Sequence, residues 1–250
     1  MKLKGQSILV TGGSRGIGRG VAVGLAREGA DVAVNYVERA DAAEEVVKEI
    51  ESLGRRALAV KANVSKRDEV NAMVKTIVDA WGRIDVLVNN AGVIVFKDFF
   101  DTTEEDWDWI HSTNLKGSFL VTQTVAKEMV KAGGGRIVFV NSEAGIKAHP
   151  VISAYNASKG GQLMLMRSVA LALAPHKIRV NSVLPFCVPT DQNAERMSDP
   201  KMVEAIIDAT PLGRLGTPED VLHAIVYLVS EDSSWMTGAS ISLDGGFTIT

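Results

Sequence analysis

The stretch Ser7–Gly18 reads SILVTGGSRGIG, and it decides the fold. Its first four residues, 7–10, form a short apolar run that is typical of a buried strand. Glycines follow at positions 12, 13, 16 and 18, and Val21 and Leu25 then recur at helical spacing. Glycine lets the backbone turn tightly, and a helix that begins at such a turn offers unpaired N–H groups to a phosphate. The stretch therefore predicts a strand, a phosphate-binding turn and a helix.

The same alternation of strand and helix continues along the whole chain. Parallel neighbouring strands need crossover connections, so this alternation indicates a parallel sheet with helices on both faces. We predict an α/β protein: a single-domain Rossmann fold over residues 1–250, with a doubly wound, seven-stranded parallel sheet. Strands are expected at 7–10, 31–34, 57–60, 84–88, 136–140, 178–183 and 240–243, and helices at 17–28, 40–53, 66–81, 114–131, 153–174 and 218–230.

Residues 184–217 interrupt this pattern. The segment lacks a clear strand and contains four prolines. Ligands of open α/β sheets bind beyond the carboxyl ends of the strands, so an irregular excursion at this place is suited to cover a substrate. We expect residues 184–217 to form a substrate loop.

Composition excludes several classes of function. The formal net charge is -3, which offers no basic surface for nucleic acid, and no polybasic run for an anionic membrane is present. The lone cysteine, Cys187, rules out an intrachain disulfide and a cysteine zinc cluster, and we predict no metal site. No apolar run approaches ~20 residues, and the N-terminus lacks the pattern of a signal peptide. These features predict a soluble cytoplasmic protein.

Tyr155 and Lys159 lie four residues apart in the helix expected at 153–174, so they share one helix face. A phenol has an ordinary pKa near ~10, and a neighbouring ammonium favours the phenolate and lowers that pKa. The pair therefore predicts an acid/base site. Two further polar groups precede it, Asn89-Asn90-Ala91-Gly92 after the fourth strand and Ser142 after the fifth.

In combination these motifs resemble the short-chain dehydrogenase/reductase family. The resemblance rests on the spacing Gly-x-x-x-Gly-x-Gly after Thr11, the Asn-Asn-Ala-Gly motif and the Ser, Tyr-x-x-x-Lys set. It extends from Gly5 to Gly246. It implies that Tyr155 exchanges a proton with the carbonyl or alcohol oxygen of a substrate. The implied catalytic residues are Asn114, which positions a water that relays protons, Ser142, which bonds the substrate oxygen, Tyr155, and Lys159, which lowers the tyrosine pKa and holds the nicotinamide ribose.

The resemblance also bears on the choice of nicotinamide cofactor. NAD-preferring members have an aspartate where this chain has Tyr36, and no carboxylate takes that place. Arg15 lies in the glycine turn, where the family often grips a 2′-phosphate, and Arg39 could help. We therefore expect NADP(H) to be preferred and NAD(H) to be accepted as well.

Two motifs depart from the family pattern. Asn63-Val64 fills the place of an Asp-Val adenine clamp, and Phe186 replaces the glycine of a Pro-Gly-x-Val-x-Thr motif. Phe186 would be strained if the backbone there needs a positive φ. The expected cofactor-binding residues are Gly12, Ser14, Arg15, Gly16, Ile17, Gly18, Asn35, Tyr36, Asn63, Val64, Asn90, Ala91, Gly92, Tyr155, Lys159, Pro185, Val188 and Thr190.

The substrate is less closely defined. Glu143, Lys147 and His149 follow Ser142 where the family borders its substrate, and a polar lining suits a sugar, a polyol or another small carbonyl compound. Two alternatives stay open. One is a 3-oxoacyl-carrier-protein reductase, and the other is a non-catalytic nucleotide-binding sensor, against which the complete catalytic set argues. Relatives are usually homotetramers, in which the helices expected at 114–131 and 153–174 pack across interfaces.

Overall fold

Seven strands form one parallel sheet in the computed structural model, which describes all 250 residues. The strands are β1 (Ser7–Val10), β2 (Asp31–Tyr36), β3 (Ala57–Lys61), β4 (Val86–Asn89), β5 (Gly135–Val140), β6 (Ile178–Pro185) and β7 (Ser240–Leu243). Their order in the sheet is β3-β2-β1-β4-β5-β6-β7, and every neighbouring pair is parallel. The predicted single-domain, doubly wound Rossmann fold is confirmed.

Nine α-helices connect and cover these strands. They are α1 (Gly16–Arg27), α2 (Ala40–Ser52), α3 (Arg67–Trp81), α4 (Glu104–His111), α5 (Ser118–Lys131), α6 (Ser153–Leu173), α7 (Ala194–Met197), α8 (Pro200–Asp208) and α9 (Pro218–Val229). A π-helical turn, Ser112–Gly117, joins α4 to α5 without a break.

The central strands are buried on both faces, which explains their apolar sequences. Successive side chains of a strand point to opposite faces. Ile8 and Val10 therefore pack into a core with α1, α2 and α9, whereas Leu9 and Leu87 pack into a second core with α3, α5 and α6. Two apolar layers hold the sheet between them.

The strand order reverses between β1 and β4. The chain moves outward through β2 and β3 on one side of β1, and it returns to place β4 on the other side. A crevice forms outside the carboxyl ends of the strands at such a point, and doubly wound proteins bind their ligands there. The glycine turn after β1 and Asn90–Gly92 after β4 both border this crevice.

The structure adds elements that the sequence pattern did not indicate. The helix expected at 114–131 is preceded by α4, which begins with a capping box between Thr103 and Asp106. Residues 184–217 are less irregular than expected, because β6 continues to Pro185 and two helices, α7 and α8, follow. None of the nine helices has the length and apolar character of a membrane span. Nowhere do three or more His, Cys, Asp or Glu side chains cluster closely enough to hold a metal ion.

Candidate active site

One large cavity, of about 680 Å³, lies at the carboxyl ends of β1, β4, β5 and β6. The glycine turn and the residues after β4 form one end of it, and Ser142, Tyr155 and Lys159 lie farther along. The segment after β6 closes one side. The glycine turn and the expected acid/base pair are therefore parts of a single cavity.

The glycine turn is shaped for close approach by a ligand. Gly12 and Gly16 have positive φ angles of 61° and 54°, which favour glycine. A Cβ on Gly18 would lie 2.2 Å from the Gly12 carbonyl oxygen, so no other residue fits. Helix α1 starts at this turn and has no side-chain cap, because Arg15 at its N-cap makes no capping hydrogen bond. Uncapped N–H groups beside a cradle without side chains fit the pyrophosphate of a nicotinamide dinucleotide.

The Asn-Asn-Ala-Gly motif fastens this turn to β4. The Thr11 hydroxyl accepts hydrogen bonds from the main-chain N–H groups of Asn90 (2.9 Å) and Ala91 (3.0 Å). The Asn90 amide in turn donates to the carbonyls of Thr11 (2.9 Å) and Gly12 (3.0 Å). The two strands at the switch point thus hold their loops in one fixed arrangement.

Asn35, which we expected to bind the cofactor, lies beneath the turn instead. It is 1% exposed and does not line the cavity. Its Oδ1 accepts a hydrogen bond from the Gly12 N–H (3.2 Å), and its Nδ2 donates to the Ala62 carbonyl (2.9 Å). Asn35 therefore supports the glycine turn from below and does not belong to the cavity lining.

The residues expected around the adenine ribose line the far end of the cavity. Tyr36, Asn63 and Val64 are among them, with Arg15 and Arg39 close by. Arg15 is 3.8 Å from Asp191, and Arg39 forms a bidentate pair with Asp41 at 3.1 and 3.0 Å. That pairing raises the pKa of Arg39 through hydrogen bonding and charge, so Arg39 is cationic.

Ser142, Tyr155 and Lys159 meet inside the cavity. Ser142 follows β5, and the other two lie one turn apart on α6, with the Lys159 Nζ 5.6 Å from the Tyr155 ring centre. Burial raises the pKa of Tyr155 above its ordinary value, the Glu143 charge raises it further, and the Ser142 hydroxyl lowers it. Burial also lowers the pKa of Lys159 to about 7, against the charge of Glu143. Burial therefore has the largest effect on the Tyr155 pKa, and the positive ring of an oxidised nicotinamide would favour the phenolate.

Asn114 lies behind the cavity rather than in its lining. It is part of the π-helical turn, and its side chain bonds the main chain of Val93 at 2.8 and 2.9 Å. Its Nδ2 also donates to the Ser158 hydroxyl at 3.1 Å. Its main-chain carbonyl already accepts hydrogen bonds from Gln162 Nε2 (2.9 Å) and Ser118 Oγ (2.7 Å). This carbonyl therefore has two side-chain donors.

Gln162 escaped the sequence analysis. It is 1% exposed, and its Oε1 accepts a hydrogen bond from Lys159 Nζ at 3.1 Å. Its Nε2 donates to Asn114 and, at 2.6 Å, to Ser118 Oγ. Position 162 is three residues beyond Lys159 on α6, so the helical spacing could have identified it.

The segment after β6 supplies the third wall. Pro185, Val188 and Thr190 line the cavity as expected. The left-handed residue in this segment is Cys187, with φ 40°, so Phe186 does not have the positive φ that would strain it. The positive φ lies one residue later than the position that holds glycine in the family motif. The Phe186 ring stacks on Phe247 with ring centres 3.8 Å apart. Burial raises the pKa of the Cys187 thiol to about 11, which fits a passive role.

Glu143 and His149 give the reacting end of the cavity its polarity. Glu143 is 5% exposed and lies directly beside Ser142. Its carboxylate accepts from Ser142 Oγ (2.6 Å) and bonds His149 Nε2 (2.8 Å). The His149 ring is parallel to Phe247, 5.7 Å away, and Lys147 Nζ donates to the Phe247 carbonyl at 2.7 Å. Phe247 had no local sequence signal, because only the tertiary fold brings the end of the chain to this wall.

All of the other expected cofactor-binding residues border the cavity. Besides those already described, they are Ser14, Ile17 and Gly92. The structure therefore brings together every expected residue except Asn35 and Asn114, which stand directly behind the lining.

Fold and cavity together define the class, an NAD(P)-dependent oxidoreductase that acts on CH–OH groups. A family model described as enoyl-(acyl carrier protein) reductase matches residues 12–248. An L-rhamnose 1-dehydrogenase (NAD(P)(+)) from a Sphingomonas species is 41% identical over 248 residues, which cover 99% of this chain and 98% of that protein. A 3-oxoacyl-[acyl-carrier-protein] reductase from Staphylococcus epidermidis is 39% identical over 241 residues, 96% of this chain and 98% of the relative.

Solved structures agree with these relatives. A short-chain type dehydrogenase/reductase from Mycobacterium marinum superposes with a TM-score of 0.94 at 37% identity, over 100% of this chain and 98% of that one. The chain belongs to the short-chain dehydrogenase/reductase family.

Proposed function

We propose that this protein interconverts a secondary alcohol and a ketone in a sugar, a polyol or another small hydroxylated carbonyl compound, with NADP(H) as the preferred cofactor and NAD(H) also accepted. The observation that carries the substrate class is the buried Glu143 carboxylate beside Ser142, paired with His149. A buried acceptor at the reacting end suits a substrate with several hydroxyl groups and disfavours an apolar chain.

The aromatic wall supports the same class. The parallel rings of Phe186 and Phe247, with Trp109 also in the lining, give flat apolar surfaces beside polar groups. A sugar ring has apolar C–H faces and a polar edge, so it complements such a wall. The rhamnose dehydrogenase relative acts on a molecule of this kind, as its name states.

The chain's own residues divide the chemistry as follows. Tyr155 exchanges the proton of the substrate oxygen, and Ser142 bonds that oxygen as charge develops. Lys159 holds the ribose of the cofactor, and Asn114 braces α6 against Val93 through its side chain. The nicotinamide, when bound, supplies or accepts the hydride.

The cofactor preference rests on two arginines and on the absence of a carboxylate at the end of β2, where Tyr36 stands. Tyr36 ends β2 where an acidic side chain would repel a 2′-phosphate, and Arg15 is held only by a long contact to Asp191. We expect Arg15→Ala to raise KM for NADP by ~10-fold and to leave KM for NAD within about two-fold, because a charge-assisted bond to the phosphate is lost. Equal changes in both constants would contradict a phosphate contact. Lys66→Ala, an exposed cation outside the cavity, is the matched control.

Turnover of a substrate panel tests the function itself. The panel spans sugars, polyols, small diketones and a 3-oxoacyl thioester. Turnover of each compound is measured by nicotinamide absorbance with both cofactors. We expect wild type to turn over the hydroxylated class, and Tyr155→Phe to lose at least ~10²-fold in kcat while it still binds cofactor. Equal activity of the two proteins would exclude Tyr155 as the acid/base group.

The carrier-protein reductase is the second candidate, favoured by the Staphylococcus epidermidis relative. Such an enzyme needs cations to meet an acidic carrier. The candidate cations are Lys127, Lys131 and Arg167, and Lys131 is already paired with Glu128 at 2.7 Å. Preferred turnover of the thioester would establish this candidate, and cofactor binding without any turnover would support a sensor. The cytoplasmic location, the homotetramer and the substrate loop at 184–217 stay predictions from the sequence.

A further inference from the structure

Arg196 lines the cavity with a charged group that has no oxygen partner. It lies on α7 and is half-buried. Its one side-chain hydrogen bond is a long contact of 3.5 Å from Nη2 to the sulfur of Met202. The other basic side chains of the lining each contact at least one oxygen atom, and they are Arg15, Arg39, His149 and Lys159. A guanidinium has five N–H donors, so most of the donors of Arg196 are open to a ligand.

The guanidinium of Arg196 is held in place. Its Cζ lies 4.5 Å from the centre of the Phe96 ring, which also lines the cavity. A cation stacked on an aromatic face is attracted to it and keeps its orientation. Phe96 is itself fixed, because the N–H of the next residue, Lys97, donates to the Val151 carbonyl at 2.9 Å. The Lys97 ammonium is paired with Asp106 and does not compete for a ligand.

The position of Arg196 is at the reacting end of the cavity. Val151, to which the segment of Phe96 is bonded, lines the cavity two residues beyond His149. Burial raises the pKa of the Cys187 thiol, the charge of Glu143 raises it further, and the charge of Arg196 lowers it. The two opposite charges therefore act on the same thiol. Glu143 follows β5, whereas Arg196 belongs to the segment after β6, so the two charges lie on different walls of the same end.

The surroundings of Arg196 favour a carboxylate as its partner. Met197, Ala205 and Ile206 line the cavity from α7 and α8 and are apolar. A partly buried charge among apolar groups is costly without a partner, and its attraction to a ligand of opposite charge is strengthened. A carboxylate carries one negative charge, which one guanidinium balances, and its two oxygens match the guanidinium fork. A phosphate would bring up to two charges to an end that already holds the Glu143 carboxylate.

We propose that Arg196 binds the carboxylate of the substrate, and that the substrates are sugar acids, polyhydroxylated carboxylates in which a secondary alcohol and a ketone interconvert. The inference rests on the proposed function, which places the reacting carbon at Tyr155. Hydroxyl groups of the substrate donate to Glu143 on one wall, and the carboxylate accepts from Arg196 on the other. Contacts at two places fix which carbon reaches Tyr155. Arg196 is a binding residue in this arrangement and transfers neither proton nor hydride.

Turnover of matched compounds tests the specificity. Gluconate, galactonate and mannonate are each compared with the alditol of the same carbon skeleton, by nicotinamide absorbance. In wild type we expect kcat/KM for at least one sugar acid to exceed that of its alditol by ~10²-fold. Arg196→Gln should lower this value by ~50-fold, mainly through KM, and should change the value for the alditol by less than about two-fold. Arg196→Lys, which keeps the charge and loses the fork, should lie between the two.

Binding without turnover gives a second measurement. The protein saturated with NADPH binds a sugar acid in a dead-end complex, and calorimetry gives its Kd. We expect Arg196→Gln to raise this Kd by ~50-fold, and free guanidinium to restore part of the affinity in Arg196→Ala. Lys201→Ala removes an exposed cation of α8 outside the cavity and should leave Kd unchanged. NADPH binding followed by fluorescence shows that each variant still forms the cofactor site.

Three results would overturn the proposal. An unchanged Kd for the sugar acid in Arg196→Gln would exclude the contact. An equal loss for the sugar acid and its alditol would show that Arg196 only stabilises the segment after β6. Preference for hexose phosphates over the sugar acids would assign the site to a phosphate. The proposed function is separate: if Tyr155→Phe turns over normally, or if the whole panel is inactive, that function is wrong, and calorimetry still decides whether Arg196 binds a carboxylate.

Discussion

Lys159 is the residue whose burial has the largest consequence. It is 3% exposed, and its ammonium meets only the Val140 carbonyl and the Gln162 amide oxygen, both at 3.1 Å. Desolvation lowers its pKa from 10.5 to about 7. Between these two values the unfolded chain holds a proton that the folded chain does not. Lys159 therefore costs stability at neutral pH, as expected of a residue kept for function.

This cost predicts the behaviour of Lys159→Met. The penalty is fully present below pH 7 and fades as the pH rises from about 7 to 10.5, where both states lose the proton. We expect Lys159→Met to raise Tm by roughly 5 °C at pH 6 to 7, to lose this advantage toward pH 10, and to be inactive. Thermal unfolding across this pH range measures it. For Lys66→Met, which replaces an exposed lysine, the difference in Tm from wild type should not change with pH. If the difference for Lys159→Met also did not change with pH, burial of Lys159 would not lower stability.

The site residues that the sequence predicted are those with short, local signals. The glycine turn, Asn90–Gly92, Ser142, and the pair on α6 each occupy a few neighbouring positions, so spacing alone identifies them. The position of Asn35 beneath the turn could not be predicted, because alternation along β2 does not tell whether a polar side chain faces the cavity or the turn beneath it. Phe247 is more than 60 residues from its partner Phe186 and could not have been found without the fold.

Among the elements, the segment after β6 depends on few contacts to stay closed. Gln192 Nε2 donates to the Gly92 carbonyl at 2.6 Å, which ties the segment to the loop after β4. Thr190 also lies so close to Gly16 that a Cβ there would meet its side chain at 3.1 Å. The segment thus touches both cofactor-binding loops, and closure and cofactor binding should be linked.

We expect Gln192→Ala to weaken cofactor binding by ~5-fold, because the closed segment loses its bond to Gly92. Fluorescence titration gives Kd, and limited proteolysis of residues 190–208 should become faster in the same variant. Glu195→Ala, an exposed change in α7, is the matched control. An unchanged Kd together with faster proteolysis would show that closure and binding are independent.

The helices show where periodicity fails as a guide. Helix α4 was missed because its eight residues bury one side chain fully, Ile110, so they lack an apolar stripe. It forms because its first turn carries three acidic residues and a capping box. Residues 114–117 of the π turn were assigned to a regular helix, since apolar spacing does not distinguish a π turn from an α turn.

At the scale of the whole molecule, α6 leaves apolar side chains in solvent. Leu171 is 80% exposed and Met164 57% exposed, and Phe119 of α5 is 40% exposed. Apolar patches of this kind mark association surfaces. We expect Leu171→Glu to dissociate the predicted tetramer, as measured by light scattering at micromolar concentration. Leu53→Glu, on a partly exposed leucine at the end of α2, is the control, and a monomeric wild type would contradict the prediction.

The doubly wound, seven-stranded parallel sheet could be predicted as a whole because helix and strand alternate so regularly. Right-handed crossovers leave few ways to arrange such a chain. What the alternation does not fix is how far each strand extends, and β6 runs two residues past its predicted end. Those residues carry Pro185 into the cavity wall, so strand length decides part of the site.

The π-helical turn between α4 and α5 also sets a rotational phase. A π turn closes its hydrogen bond over five residues, whereas an α-helical turn closes its bond over four. Each residue of an α-helix accounts for about 100° of rotation around the helix axis. Loss of a single codon between residues 112 and 117 would leave an unbroken α-helix, with everything before it turned by about that angle. Trp109 would then swing off the cavity wall and the Asn114 carbonyl away from Gln162. Such a deletion would keep the reading frame but would displace residues of the site. We therefore expect the length of this turn to be more constrained than its sequence.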